Sequence, residues 1–199
     1  IGYIDIVEAS IFNKEKLKNL IENSDICINL IGILYEKGKI NTFKRIHTEL
    51  PDMLSKICSD KNKSFIHLSA LGIENAKNSK YAQSKLEGEA KIRANHPQTI
   101  IIKPSIVFSV SDSLTTKFMS ILNILPVFPL YYKGNTKFMP IHASEIANLL
   151  FYIIDRGITS KSIEAVGPEV LTFKKILQVL LKCINKKKFL ILIISNCVH

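Results

Sequence analysis

The sequence predicts an α/β fold built on a doubly wound parallel sheet, with a small C-terminal lobe. Three observations predict it. Strand-like and helix-like segments alternate regularly along the chain. The strand candidates are short, nearly unbroken apolar runs, as required of strands covered on both faces. Several of these runs end on glycine or serine shortly before a helix begins, the edge where parallel sheets receive ligands.

Taken in order, "YIDIVEA" (3–9) reads as the first strand. Asn13 is placed to cap a helix running to about residue 22, with Leu17, Leu20 and Ile21 on its apolar face. "DICINLIGIL" (25–34) reads as a strand buried on both faces and ending at Gly32. Phe43, Ile46, Leu50, Met53, Leu54 and Ile57 then recur at helical spacing, with a kink expected at Pro51. "SFIHLSALG" (64–72) is a further buried strand and "SKYAQSKLEGEAKIRAN" (79–95) a further helix. "QTIIIKPSIVF" (98–108) is a strand that Pro104 interrupts near its end. A helix near 112–124, a proline-rich loop, a short strand "TKFMPIH" and a helix at 144–155 follow. "SIEAV" and "LTFKKILQVLLKCI" supply a last strand and helix, the latter capped by Thr172. The apolar run Phe189–Ile194 is too short to span a bilayer. It reads as a strand of the C-terminal lobe, or, with three lysines before it, as a segment that touches a membrane or partner.

Composition narrows the function classes. At 199 residues and 47% hydrophobic, the chain has the material for a real core and is no disordered tail. The division expected is a dinucleotide-sized domain over 1–155 and a partial lobe over 156–199. A net charge of +10 raises the question of an anionic partner. The lysines are scattered, without arginine forks or stacking aromatics, so a solvated basic surface is the simpler reading and no nucleic-acid partner is expected. Cys27, Cys58, Cys183 and Cys197 lack metal or disulfide spacing, as in a reduced intracellular protein, and no metal site is read. His47 on a helix and His67 at a strand are given no ligand role. The chain opens at Ile1 inside a strand-like run, so a fragment is expected, with any targeting signal lying beyond it.

Two tyrosine–lysine pairs share the i, i+4 spacing, Tyr35 with Lys39 and Tyr81 with Lys85. The first flanks Gly38 in a polar loop, where no periodicity aligns the two side chains. The second lies in a predicted helix that begins about ten residues after the strand end at Ser69, so both side chains can face that rim. A free tyrosine is a poor base at neutral pH, and an ammonium one turn away would stabilise its phenolate. Competing structural readings exist: Ser69 as a buried serine bonded to backbone, and Gly32 and Gly72 as plain strand-to-helix turns.

The run "YAQSKLEGE" resembles the Tyr-x-x-Ser-Lys-x-x-Gly-Glu signature of extended or atypical short-chain dehydrogenase/reductase proteins, the group that includes NAD-dependent epimerases and dehydratases. "DICINLIGIL", "SFIHLSALG", "IIIKPSIVF", "FMPIHASEIA" and "VGPEVLTFKKIL" resemble that family's successive segments in matching order, over roughly residues 4–180. The wording is most similar to the branch holding the NAD(P)H-binding accessory subunit of respiratory complex I and its bacterial relatives.

That resemblance implies a Rossmann-like domain with NADP or NAD as cofactor. It implies Tyr81 as acid/base, Lys85 as its electrostatic partner and ribose ligand, and Ser69 as the substrate's hydrogen-bonding partner. Some extended members place their serine at the position of Ala70. Asn29, Gly32, Pro104 and Ser105 would line the cofactor. The departures weigh against turnover. No Gly-x-x-Gly-x-x-Gly loop occurs in the chain, so the expected glycine-loop unit is missing, and Ser10 and Ser109 replace an expected aspartate and glycine. The expectation is therefore a complex I-associated accessory or assembly protein with a mainly structural cofactor, placed in the mitochondrial matrix or bacterial cytoplasm or peripherally on the inner membrane. The alternative is an active NAD(P)-dependent reductase, epimerase or dehydratase using Ser69, Tyr81 and Lys85. A third reading makes the chain a remnant that does not fold cooperatively.

Overall fold

A computed structural model describes residues 4–192 other than 111 and 126. The chain forms two compact units, one of residues 1–103 with 156–164, the other of 104–155 with 165–199. It therefore passes between them after Lys103, after Asp155 and after Glu164.

The first unit carries the sheet. Its strands are β1 (Ile26–Asn29), β2 (Ser64–Leu68), β3 (Ile100–Pro104) and the strand Ser162–Ala165, adjacent in that order. β1 pairs with β2 and β2 with β3, both in parallel, with Asn29 opposite His67 and His67 opposite Ile101. Side chains alternate across the pleat, so Cys27, Asn29, Phe65, His67 and Ile101 share one face. Three helices supply the cover: α1 (Lys14–Glu22), α2 (Leu50–Asp60) and α3 (Lys80–Asn95). Ile21, Leu54, Ile57, Cys58, Phe65, Ile92 and Ile101 close into one core cluster. Each helix begins where its sequence permits. The Asn13 side chain accepts the Lys16 N–H, and the Ser79 hydroxyl accepts that of Ala82.

A π-helical turn, Lys44–Glu49, leads into α2, whose first turn holds Pro51. The expected kink is thus a wide turn just before the proline. Pro51 has no N–H to return to the carbonyl of His47, four residues earlier. That carbonyl faces α3 at Gly88, where an added Cβ would lie 2.0 Å from its oxygen. Glycine in "LEGE" is thus the residue that lets α3 close onto this turn.

Two strand readings are corrected. Residues 4–9 form no strand among the described residues, and Ile4 and Ile6 are 87% and 93% exposed. Their alternation is strand-like, but among the described residues no ladder partner pairs their backbone. The strand read from "DICINLIGIL" stops at Asn29, and it is not buried on both faces. Ile28, Leu30, Ile31 and Leu34 are exposed, because β1 is the edge of the described sheet.

The second unit contains α4 (Ser113–Ile124), α5 (Ala143–Asp155) and α6 (Phe173–Cys183), the last capped by Thr172 as read. The run "TKFMPIH" splits at Pro140 into two short strands, Lys137–Phe138 and Ile141–His142. Phe189–Leu192 pairs in parallel with Val127–Leu130, so the start of the apolar tail is a strand; residues 193–199 lie outside the described residues. Leu122, Leu130, Leu177, Leu180 and Leu181 form this unit's core, with Phe118, Phe128 and Phe173 against it.

Candidate functional site

The C-terminal ends of β1 and β2 face the first turns of α3, and the candidate residues of the first unit gather there. α3 presents Tyr81, Lys85 and Glu89 at successive turns of one face. Lys85 is 5% exposed, and its ammonium donates to the Leu68 carbonyl at 3.5 Å. Nζ also lies 5.7 Å from the centroid of the Tyr81 ring. Burial pulls the ammonium down to about 8, against the opposing pull of the Glu89 carboxylate. It therefore remains largely protonated at pH 7.

Tyr81 is half-buried and wedged edge-on against two rings, Phe43 at 5.7 Å and His47 at 5.1 Å between centroids. Burial raises its phenol above the ordinary value. The lowering anticipated from the lysine one turn away does not appear, and burial alone sets the direction of the shift. In this state Tyr81 is a proton donor and a poor base.

His47, given no role from sequence, organises the site. Its Nε2 accepts the Ile33 N–H at 3.1 Å. Ser84 donates its hydroxyl proton to the Tyr81 carbonyl at 2.8 Å, so its Oγ must accept from His47 Nδ1–H at 3.1 Å. The tautomer is thereby fixed. Burial, then the nearby Lys85 charge, depress the imidazole to about 4, so it is neutral at physiological pH. Ser84, the serine of "YAQSK", thus ties the loop after β1 to α3 through this histidine. Thr48 adds a second tie by donating to the Ser84 carbonyl at 2.9 Å.

Asn29 is buried and its amide is committed. Oδ1 accepts the Ile31 N–H at 3.1 Å, and Nδ2 donates to His67 Nδ1 at 3.0 Å. Burial depresses His67 to about 3, which keeps it neutral and able to accept. Asn29 therefore shapes the loop through residues 30–33. A Cβ built on Gly32 would lie 3.8 Å from His47 Nε2 and 3.9 Å from Lys85 Nζ. The absent side chain leaves bare backbone beside the ammonium.

Ser69 is 6% exposed, and its N–H bonds to the Ile102 carbonyl at 2.7 Å. Its hydroxyl donates to Glu89 Oε1, while Glu89 Oε2 pairs with Lys103 at 3.1 Å and Lys103 also pairs with Glu74. Burial opposes the Lys103 charge, but the two carboxylates outweigh it and hold the amine above its ordinary range. Pro104 and Ser105 belong to the second unit. There the Ser105 N–H bonds to the Ala165 carbonyl at 3.0 Å, and its Oγ accepts the Met139 N–H at 3.2 Å.

His47, His67, Glu89 and Lys103 were not assigned to the site from sequence. Their partners lie 14 to 38 residues away, and the available signal was polarity at otherwise apolar positions or, for Glu89, its place at the end of "YAQSKLEGE". Among the described residues no group of three or more His, Cys, Asp or Glu side chains could hold a metal ion, and no helix is long and apolar enough to cross a membrane.

A search of family models returns no match. Among curated proteins, the 40 kDa subunit of mitochondrial NADH-ubiquinone oxidoreductase from Neurospora crassa is 25% identical over 190 residues, covering 94% of this chain and 49% of that protein. The mitochondrial NADH dehydrogenase [ubiquinone] 1 alpha subcomplex subunit 9 of Dictyostelium discoideum is 26% identical over 182 residues, covering 91% of this chain and 50% of that one. The chain thus spans about half the length of these relatives. Among solved structures, a dTDP-glucose 4,6-dehydratase from Streptomyces venezuelae with NAD bound superposes with a TM-score of 0.76 at 16% identity, covering 92% of this chain and 66% of that one. The chain is a distant homologue of the complex I 39/40 kDa subunit, and its α/β fold with a parallel sheet is that of the Rossmann-like NAD-dependent epimerases and dehydratases.

Proposed function

We propose that this chain is the nicotinamide-dinucleotide-binding part of an accessory or assembly protein associated with respiratory complex I, with the cofactor held mainly as a structural element. The observation that carries this reading is the Lys85 ammonium. It is buried at a cost, has one long bond to the Leu68 carbonyl, and stands beside the bare backbone of Gly32. A lysine so placed has protons to give to ribose hydroxyls. Asn29 and His47 hold the loop against which the sugar would lie, and Tyr81 lies one helical turn before Lys85. Pro104 and Ser105 are assigned to the cofactor's nicotinamide side on the resemblance. Bound here, the dinucleotide would supply hydride-transfer chemistry. NAD and NADP are both compatible with the residues named.

The structural role is favoured by two protonation facts. Tyr81 is shifted away from service as a base, and the Ser69 proton is directed into Glu89. Association with complex I is supported by the two curated relatives, both named as its subunits. A groove in the second unit lined by Lys175, Lys182, Lys186, Lys187 and Lys188 supports peripheral contact with an anionic inner-membrane surface, from the mitochondrial matrix or a bacterial cytoplasm. The second face of a doubly wound sheet and the C-terminal lobe are part of the same proposal.

The test is a fluorescence titration with NADH and NADPH. Lys85→Ala should weaken binding about ten- to a hundredfold, the worth of charge-assisted hydrogen bonds, and Tyr81→Phe should leave it nearly intact. Equal binding by Lys85→Ala and the parent chain would refute the assignment. The catalytic alternative rests on Tyr81 and Lys85 sharing one helix face. It predicts nicotinamide absorbance changes with sugar-nucleotide or quinone-like carbonyl substrates, abolished in Tyr81→Phe.

A further inference from the structure

The face of α3 that carries Tyr81 and Lys85 continues one turn further to Glu89, where three elements of the first unit converge. From the end of β2, Ser69 donates its hydroxyl proton to Oε1. From β3, Lys103 pairs with Oε2 at 3.1 Å, and both side chains of that pair are only 13% exposed. From α3 itself, Lys85 lies one turn back, with its ammonium on the carbonyl of Leu68, the residue before Ser69. A half-buried carboxylate thus stands between one serine and two lysines.

We propose that Glu89 is a positioning residue of the dinucleotide site, holding Ser69 turned inward and supplying the counter-charge for the buried Lys85 ammonium. The function in this statement rests on the dinucleotide reading above; the geometry does not. A hydroxyl has one proton. With that proton given to Glu89, Ser69 Oγ offers only lone pairs outward, so it can accept from an alcohol or ribose hydroxyl but cannot polarise a carbonyl. The other ionisable groups facing Lys85 are Tyr81, His47 and His67, all uncharged near pH 7, so the nearby compensating charge comes from Glu89.

The direct test is an NMR titration of the lysine side chains in the ligand-free 199-residue chain. In a folded Glu89→Gln variant the Lys85 midpoint should fall by about one pH unit, while Ser69→Ala leaves it in place. An unchanged midpoint in folded Glu89→Gln overturns the proposal. Should that variant not fold, Lys103→Met carries the test: it leaves the Glu89 charge to Lys85, so the Lys85 midpoint should rise, and no rise overturns the proposal. The parent chain's dinucleotide titration reports separately. Absence of binding there sinks the dinucleotide reading and leaves the Lys85–Glu89 coupling standing on its own measurement.

Discussion

The chain contains two tyrosine–lysine pairs of identical spacing, and their surroundings have little in common. Tyr35 is 59% exposed and Lys39 is exposed, in a loop closed by a single bridge between Lys37 and Asn41. Tyr81 and Lys85 lie on one helix face, packed against Phe43, His47 and the end of β2. Four residues of separation place two side chains together only where a helix turns them the same way. Neighbours then determine their chemistry. Desolvation pushes the Tyr81 phenol up and the Lys85 amine down.

The largest expected difference between the two regions appears in acid. His47 and His67 are neutral when folded, at about 4 and 3 against an ordinary 6.5. Between pH 6.5 and 4 the unfolded chain binds more protons than the folded one, so stability falls as pH drops. Each histidine should cost about 3 kcal/mol by pH 4. Urea denaturation across this range checks it, and His47→Gln should remove close to half of the slope.

Next in size is Gly88→Ala. The added methyl would meet the His47 carbonyl at 2.0 Å, with backbone on both sides, so a loss of about 3 kcal/mol or more is expected. In the loop between Tyr35 and Lys39, Gly38 has a φ of +65° and open space around its Cβ position. Gly38→Ala should cost about 1 kcal/mol, all of it backbone. Thermal unfolding of the two variants gives the ranking directly.

Lys85→Met tests whether the site is kept at the expense of stability. The folded ammonium is at about 8 and the unfolded one at 10.5, so its burial costs stability below pH 8 and that cost fades as pH rises to 10.5. The ligand-free Lys85→Met variant should be more stable than the parent at pH 7 by about 3 kcal/mol, with the gap closing by pH 10.5. Lys39→Met should change neither pH. A pH-independent gap at Lys85 would contradict the buried-charge account. Smallest of all, Tyr81→Phe and Tyr35→Phe should each shift stability by under about 0.5 kcal/mol.

How much of this was legible in the sequence follows from how local each determinant is. The helix at 80–95 could be read because its tyrosine–lysine pair and the rest of "YAQSKLEGE" are local to it. The strand at 64–68 could be read because its apolar run is buried whatever its neighbours. Residues 4–9 alternate as a strand would but form none among the described residues, because a ladder depends on a partner that local sequence does not reveal. "DICINLIGIL" has an apolar pattern that does not distinguish a central strand from an edge strand, and here it is an edge. At the site, Tyr81 and Lys85 were legible from their helix beside the Ser69 strand end and from the "YAQSKLEGE" resemblance. His47, His67 and Glu89 were not, because their roles exist only once Ser84, Asn29 and Ser69 are brought to them across 37, 38 and 20 residues.

On the proposed function, Lys85 is held buried and charged to receive a dinucleotide. NADH binding, followed by fluorescence at pH 7 and again well above pH 8, tests it most directly in the parent chain, Lys85→Ala and Lys39→Ala. The expected result is binding at pH 7 by the parent and Lys39→Ala, weakening as the Lys85 ammonium loses its proton, with Lys85→Ala weak throughout. Binding that is insensitive both to pH and to the loss of Lys85 would contradict it.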